Sequence, residues 1–115
     1  MIVAGVHSGD EVICPSMSYI ATANAIKYVG AKPVFAEINP ASYNLDIKDV
    51  EKKITAKTKA ILLVHQIGMP GDIDAFQELA AKHNLRLIED AACAAGSAYK
   101  GSKIGSHSEL VCFSF

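Results

Sequence analysis

The chain has 115 residues, near the usual size of one domain, so its apolar residues suffice for a single core and would starve two. Half of them are hydrophobic and 20% are charged, which excludes a disordered tail. Eleven basic against twelve acidic residues give a formal net charge of -1, without a basic cluster that would hold a nucleic-acid backbone.

In chain order, Met1 to Val6 reads as the end of an apolar helix leading into a Gly9-Asp10 turn. Glu11 to Cys14 follows as a strand. Ile20, Ala23, Ile26 and Val29 then fall on one side of a helix, with Ser18 as its N-cap and Gly30 as its C′ stop. Pro33 to Ile38 is the second strand. Leu45, Ile47, Val50 and Ile54 mark the second helix, with Asp46 as N-cap and Asp49 at N3, where the helix dipole favours an acid. Lys59 to Val64 is the third strand. Ile73, Phe76, Leu79 and Ala80 make the stripe of the third helix, and Asp74 with Gln77 resembles a capping box. Leu85 to Glu89 is the fourth strand. Tyr99 to Ser108, with Gly101 and Gly105, reads as a hairpin or exposed loop, and Glu109 to Phe115 as a last strand.

Each strand is a nearly continuous apolar run, the pattern of parallel strands covered on both faces. The alternation predicts an open, doubly wound α/β fold with right-handed crossovers, a three-layer α/β/α sandwich around a mainly parallel sheet. Because Met1 to Val6 and Val111 to Phe115 read as interior segments, residues 1–115 are expected to be part of a larger domain, truncated at both ends. Alone, such a piece should be marginally stable and prone to associate.

Cys14, Cys93 and Cys112 are odd in number and set in apolar contexts, which predicts reduced, buried thiols. Neither they nor His7, His65, His83 and His107 show metal-ligand spacing, so no metal is expected. The longest apolar runs, Met1 to Val6 and Ala60 to Val64, fall far short of a transmembrane helix, and Lys27 is the first cationic side chain, so no secretory signal is read and the cytoplasm is expected. In open α/β sheets the ligand crevice lies beyond the carboxyl ends of the strands. Candidates therefore follow Cys14, Ile38, Val64 and Glu89. Asp90 opens onto the small residues Ala91 to Gly96, which let a ligand approach the backbone; a helix-capping or salt-bridged structural aspartate is the other reading. His65 either supports the site or is a satisfied structural histidine. Lys100 and Lys103 are most simply solvated.

Gly9 to Ala25 (GDEVICPSMSYIATANA), Gly30 to Phe35, Thr58 to Ile61, His65 to Asp74, Ile88 to Ala92 and Cys112 to Phe115 resemble, in the same order, blocks of the DegT/DnrJ/EryC1/StrS sugar aminotransferases. The resemblance implies a fold-type I pyridoxal 5′-phosphate enzyme and places residues 1–115 in the centre of its large, cofactor-binding domain. It also implies site roles. Asp90 matches the aspartate that pairs with the pyridine nitrogen, Tyr19 the aromatic that stacks on the cofactor ring, and Ser114 the phosphate-contacting serine of the F-S-F-H-x-x-K segment. Tyr19 could instead be a hydrophobic staple, and Ser114 a strand serine bonded to nearby backbone. Cys93 departs from the family, which more often has glutamine or histidine there near the phenolic oxygen; a thiol is a weak partner, so Cys93 is a pocket neighbour or inert packing.

No catalytic residue is expected within the chain, since the Schiff-base lysine of that segment would stand beyond Phe115; the isolated chain is accordingly expected to be inactive. The resemblance implies a homodimer acting on an amino acid, glutamate foremost, and a nucleotide-linked keto-deoxysugar, with no nucleic-acid or membrane partner. Two other readings stay open: a pyridoxal-phosphate-dependent sugar dehydratase with histidine in place of the lysine, and a non-catalytic α/β binding or regulatory domain.

Overall fold

In a strand, successive side chains point to opposite faces, and here the alternation feeds two separate cores. The computed structural model describes residues 1–115. Its strands β1 (Glu11–Pro15), β2 (Lys32–Ala36), β3 (Thr58–Val64), β4 (Arg86–Asp90) and β7 (Val111–Cys112) form one parallel sheet in the order β2-β1-β3-β4-β7. Val12, Cys14, Ala60, Leu62 and Ile88 point to the face covered by α1 (Ala21–Tyr28), where they pack with Ile26, Ala4 and Val6. Ile13, Ile61 and Leu63 point the other way. There they meet Val50 of α2 (Ile47–Lys53) and Ile73, Phe76 and Leu79 of α3 (Ile73–Lys82). Helices on both faces of a parallel sheet are the doubly wound α/β fold that the sequence predicts. A small antiparallel hairpin, β5 (Ala98–Tyr99) with β6 (Ser102–Lys103), sends Ile104 into the α2/α3 core.

The order of the strands marks the sheet's carboxyl edge as the candidate place for a ligand. From β1 the chain adds β2 on one side, then returns to add β3, β4 and β7 on the other, so the reversal lies between β1 and β3. Ligands of open α/β sheets bind at such a reversal, outside the carboxyl ends of the strands.

Several local expectations are corrected. Within Met1 to Val6 the backbone makes one turn of 3-10 helix at Ile2–Ala4, closed by Gly5. Helix α1 has no side-chain cap, because Ser18 lies too far ahead of its first turn and bonds the Thr22 hydroxyl instead, at 2.7 Å. Its buried residues are Thr22 and Ile26, and Ile20, 64% exposed, leaves the predicted stripe. Strand β2 stops at Ala36, and Ile38 bridges Leu45 in antiparallel fashion. Helix α3 is capped by Asp72, whose carboxylate accepts the Ala75 N–H, while Asp74 lies in the first turn and pairs with Lys100. The final ladder holds only two residue pairs, Glu89 with Val111 and Asp90 with Cys112; Phe113 to Phe115 leave it and are exposed. Of the cysteines only Cys14 is buried, because β1 is covered on both faces; Cys93 and Cys112 are exposed. Asp46 does cap α2, accepting the Lys48 N–H, with Asp49 in the first turn. No helix is long and apolar enough to cross a membrane.

Candidate functional site

Asp90 is the last residue of β4 and is aligned with Val64 on one side and Cys112 on the other. It shares the α1-facing side of the sheet with Ile88, since the two are separated by one residue. There it lines a cavity of about 230 Å³ with Leu62 and Ile88 of the sheet, Ala21, Thr22 and Ala25 of α1, and Cys112. One carboxylate oxygen accepts the Ala92 N–H at 3.0 Å, and no lysine, arginine or histidine pairs with it. An acceptor with spare capacity in a mostly apolar recess is matched by a cationic hydrogen-bond donor on an otherwise apolar ligand, and a protonated heteroaromatic ring is such a group. The short side chains Ala21, Ala25 and Ala92 leave room for it.

The other predicted residues share the edge and not the cavity. Tyr19 stands in the loop after β1 as an exposed residue, 80% accessible, and its carbonyl accepts the Thr22 N–H at 3.0 Å. So exposed a ring closes no helix entrance, which removes the staple reading and leaves an open aromatic face. Cys93 is exposed on the turn after β4, where its carbonyl would lie 2.9 Å from any Cβ on Gly68. That turn and the loop after β3 therefore meet backbone to backbone, and Ser97 Oγ fastens them by donating to the Gly68 carbonyl at 2.7 Å. Ser114 lies beyond the ladder and is exposed, so no strand pairing holds it in place.

Two predictions outside the edge also resolve. Lys100 is exposed but paired: its ammonium binds Asp74, which raises its pKa, and sits 5.3 Å from the Tyr99 ring centre. Lys103 donates to the Gly96 carbonyl at 2.7 Å.

His65 is fully buried and is bonded on both nitrogens, to Glu89 at 2.9 Å and to the Gly71 N–H at 3.1 Å. The acidic pair is thus split: Glu89 is sealed on the α3 face and Asp90 opens on the α1 face. Sequence reasoning missed the partners that make this possible, Ser108 and Gln77, and missed Asn44, which is buried and holds the loop after β3 through Gln66, Met69 and Pro70. The one available signal was a glutamate directly following the apolar Leu87-Ile88 pair of β4.

The family model of the DegT/DnrJ/EryC1/StrS aminotransferase family matches residues 1–115. The chain is 46% identical over 115 residues to GDP-perosamine synthase of Escherichia coli O157:H7, covering all of this chain and 32% of that protein. It is 45% identical over 111 residues to UDP-2-acetamido-2-deoxy-3-oxo-D-glucuronate aminotransferase of Pseudomonas aeruginosa, covering 96% of this chain and 31% of that one. Among solved structures, the PLP-form of the sugar aminotransferase Spr1654 from Streptococcus pneumoniae superposes with a TM-score of 0.91 at 34% identity, over 99% of this chain and 33% of its own. The chain spans about a third of the length of the curated relatives it matches.

Proposed function

The chain belongs to the DegT/DnrJ/EryC1/StrS aminotransferase family, and from that premise we propose that residues 1–115 form the central part of the cofactor-binding domain of a pyridoxal-phosphate-dependent enzyme. The enzyme moves an amino group from an amino acid, glutamate foremost, to the keto carbon of a nucleotide-linked sugar. The names of the GDP- and UDP-sugar relatives support that substrate class, and the PLP-form neighbour supports the cofactor. When bound, pyridoxal phosphate supplies an electron sink for the pair left on the amino-acid carbon.

The chain's own residues would serve it as follows. Asp90 holds a proton on the ring nitrogen, because a carboxylate beside a basic nitrogen favours its charged form. Tyr19 offers its exposed ring as a stacking platform. Ser114 donates its hydroxyl to phosphate, and Cys93 contributes its turn rather than its thiol. A second copy of the protein completes the site in a homodimer.

The observation that carries this reading is the Asp90 carboxylate, unpaired and opening on an apolar recess at the sheet's carboxyl edge. Its test is Asp90→Asn in the full-length protein. Losing a partner charge within hydrogen-bond distance shifts a pKa by about 1–3 units, so turnover should fall by roughly 10- to 1000-fold, with the absorption of the bound cofactor changed to that of a neutral ring nitrogen. Wild-type turnover and spectrum in that variant would refute the assignment.

A further inference from the structure

We infer that His65 is a positioning residue for Asp90: it grips both members of the Glu89-Asp90 pair, so that the aim of the exposed carboxylate is set by a polar network buried on the opposite face of the sheet. The use to which Asp90 is put rests on the proposed function; the grip itself does not.

His65 is the first residue past β3. Its main-chain N–H donates to the Asp90 carbonyl at 3.0 Å, and its ring Nε2 lies 2.9 Å from Glu89 Oε2. Nδ1 receives the Gly71 N–H at 3.1 Å. A main-chain N–H can only donate, so Nδ1 is the acceptor nitrogen, the ring is neutral, and Nε2 carries the hydrogen that Glu89 accepts. The other Glu89 oxygen accepts the Ser108 hydroxyl, which in turn receives the Gln77 amide from α3 at 3.0 Å. That amide also donates to the His107 carbonyl at 2.7 Å. His65 and Glu89 are both completely buried, and a sealed carboxylate is tolerable only with such donors on each oxygen.

Asp90, by contrast, has one contact for its side chain, the Ala92 N–H at 3.0 Å. Its direction must come from its backbone. Successive residues of a strand point to opposite faces, so twisting β4 about its axis turns Glu89 and Asp90 together. Fixing Glu89 from the end of β3 and from the segment before β7 therefore fixes Asp90, and His65 adds a direct bond to the Asp90 carbonyl. The Glu89 N–H to the Leu110 carbonyl and the Ala91 N–H to the Cys112 carbonyl, each 2.8 Å, hold from the β7 side the two residues that flank Asp90.

The test compares His65→Leu, which removes both ring bonds, with His65→Gln, whose amide nitrogen can reach the Nε2 position, in the full-length protein. Two readouts are taken: exchange of the Ala92 amide hydrogen in cofactor-free protein, and kcat and KM with cofactor. In His65→Leu the Ala92 amide should exchange at least about 10-fold faster relative to amides of the β1 core, and kcat should fall by about 10- to 100-fold, the scale of a 1 Å misplacement, with KM within about threefold. His65→Gln should recover most of both. If His65→Leu does not fold, Ser108→Ala, which removes the second donor to Glu89, stands in its place and should accelerate Ala92 exchange severalfold. The inference is overturned if His65→Leu, or Ser108→Ala in its stead, lowers the melting temperature while Ala92 exchange and kcat stay at wild type, or if His65→Gln is as damaging as His65→Leu. A protein that binds no pyridoxal phosphate would overturn the proposed function, while the exchange data would still decide the role of His65.

Discussion

Gly71 is buried against the core side of β3, and the space that a side chain would need there is already taken. A Cβ on Gly71 would lie 2.8 Å from Leu63 Cδ1, 3.2 Å from Cδ2 and 3.3 Å from Cγ. Carbon atoms in contact sit about 3.5–4.0 Å apart, so the nearest pair is too close by roughly 1 Å. Leu63 cannot swing away, being fully buried among neighbours that include Ile61, Ile73 and Phe76. The methyl group of Gly71→Ala must therefore shift backbone or core, at about 1–3 kcal/mol. The Gly71 N–H that His65 accepts moves with it, which adds about 0.5–1.5 kcal/mol for the weakened hydrogen bond. Together these predict a loss of about 1.5–4.5 kcal/mol, or a melting temperature lower by roughly 6–18 °C for a unit of this size. Urea unfolding followed by circular dichroism measures it, with Leu63→Ala as the second arm of a double-mutant cycle. Leu63→Ala alone should cost about 2–5 kcal/mol, but the pair should cost about 1–2 kcal/mol less than the sum, because the new methyl occupies part of the vacated space. Strict additivity, or Gly71→Ala within about 0.5 kcal/mol of wild type, would refute the reasoning.

Under native conditions an alkylating reagent should add to Cys93 and Cys112 and spare Cys14 until the protein unfolds, read by mass spectrometry; a third adduct before unfolding would contradict the burial of β1. Burial pushes the Cys14 thiol from 9.0 up to about 11, so the folded state keeps a proton that the unfolded state releases. Its contribution is complete below about pH 9 and is lost as pH rises toward 11, and Cys14→Val should flatten that part of the urea midpoint curve. At the acid end, the Thr55 hydroxyl and then Lys32 hold Glu11 below its ordinary 4.5; the Glu37 N–H and Lys53 do the same for Asp49, and Lys82 for Glu51. These depressed values stabilise the fold above the ordinary carboxylate range, and the contribution disappears as pH falls through the folded-state values. Thr55→Val should make the midpoint less sensitive to acid, and an unchanged acid slope would count against the Glu11 bond.

Sequence patterns revealed what depends on nearest neighbours and hid what depends on distant ones. β1 and β3 were readable because both faces of each are covered, which writes an unbroken apolar run into the chain. Asp46 was readable as a cap because no other acid competes beside it. For α3, Asp72 and Asp74 flank the first helical residue, and only the backbone decides between them. Strand character in Phe113 to Phe115 was over-read, since apolar residues pair only where a partner strand runs alongside, and β4 offers just Glu89 and Asp90. The strand-helix alternation also puts Asp90 at the carboxyl edge of the sheet, where β4 ends. It could not separate Asp90 from Glu89, because the partners that seal one of them stand 24 and 19 residues away in sequence. Nor could it separate the possible uses of Tyr19, which turn on whether the ring is covered.

The two adjacent acids of β4 also limit how this strand can change. Side chains alternate with a period of two, so sliding β4 by one position against β3 and β7 would exchange them. Asp90 would then enter the sealed side with a side chain one methylene too short to meet His65 and Ser108 together, and Glu89 would project into the recess. Such an error creates a stranded buried charge and a misdirected open one at the same time. A single substitution within β4 disturbs one of these arrangements, whereas inserting or deleting one residue between Arg86 and Asp90 abolishes both at once. The buried acid thus acts as a register mark for the exposed one, since a slipped pairing would bury an unmatched carboxylate whether or not a ligand is bound.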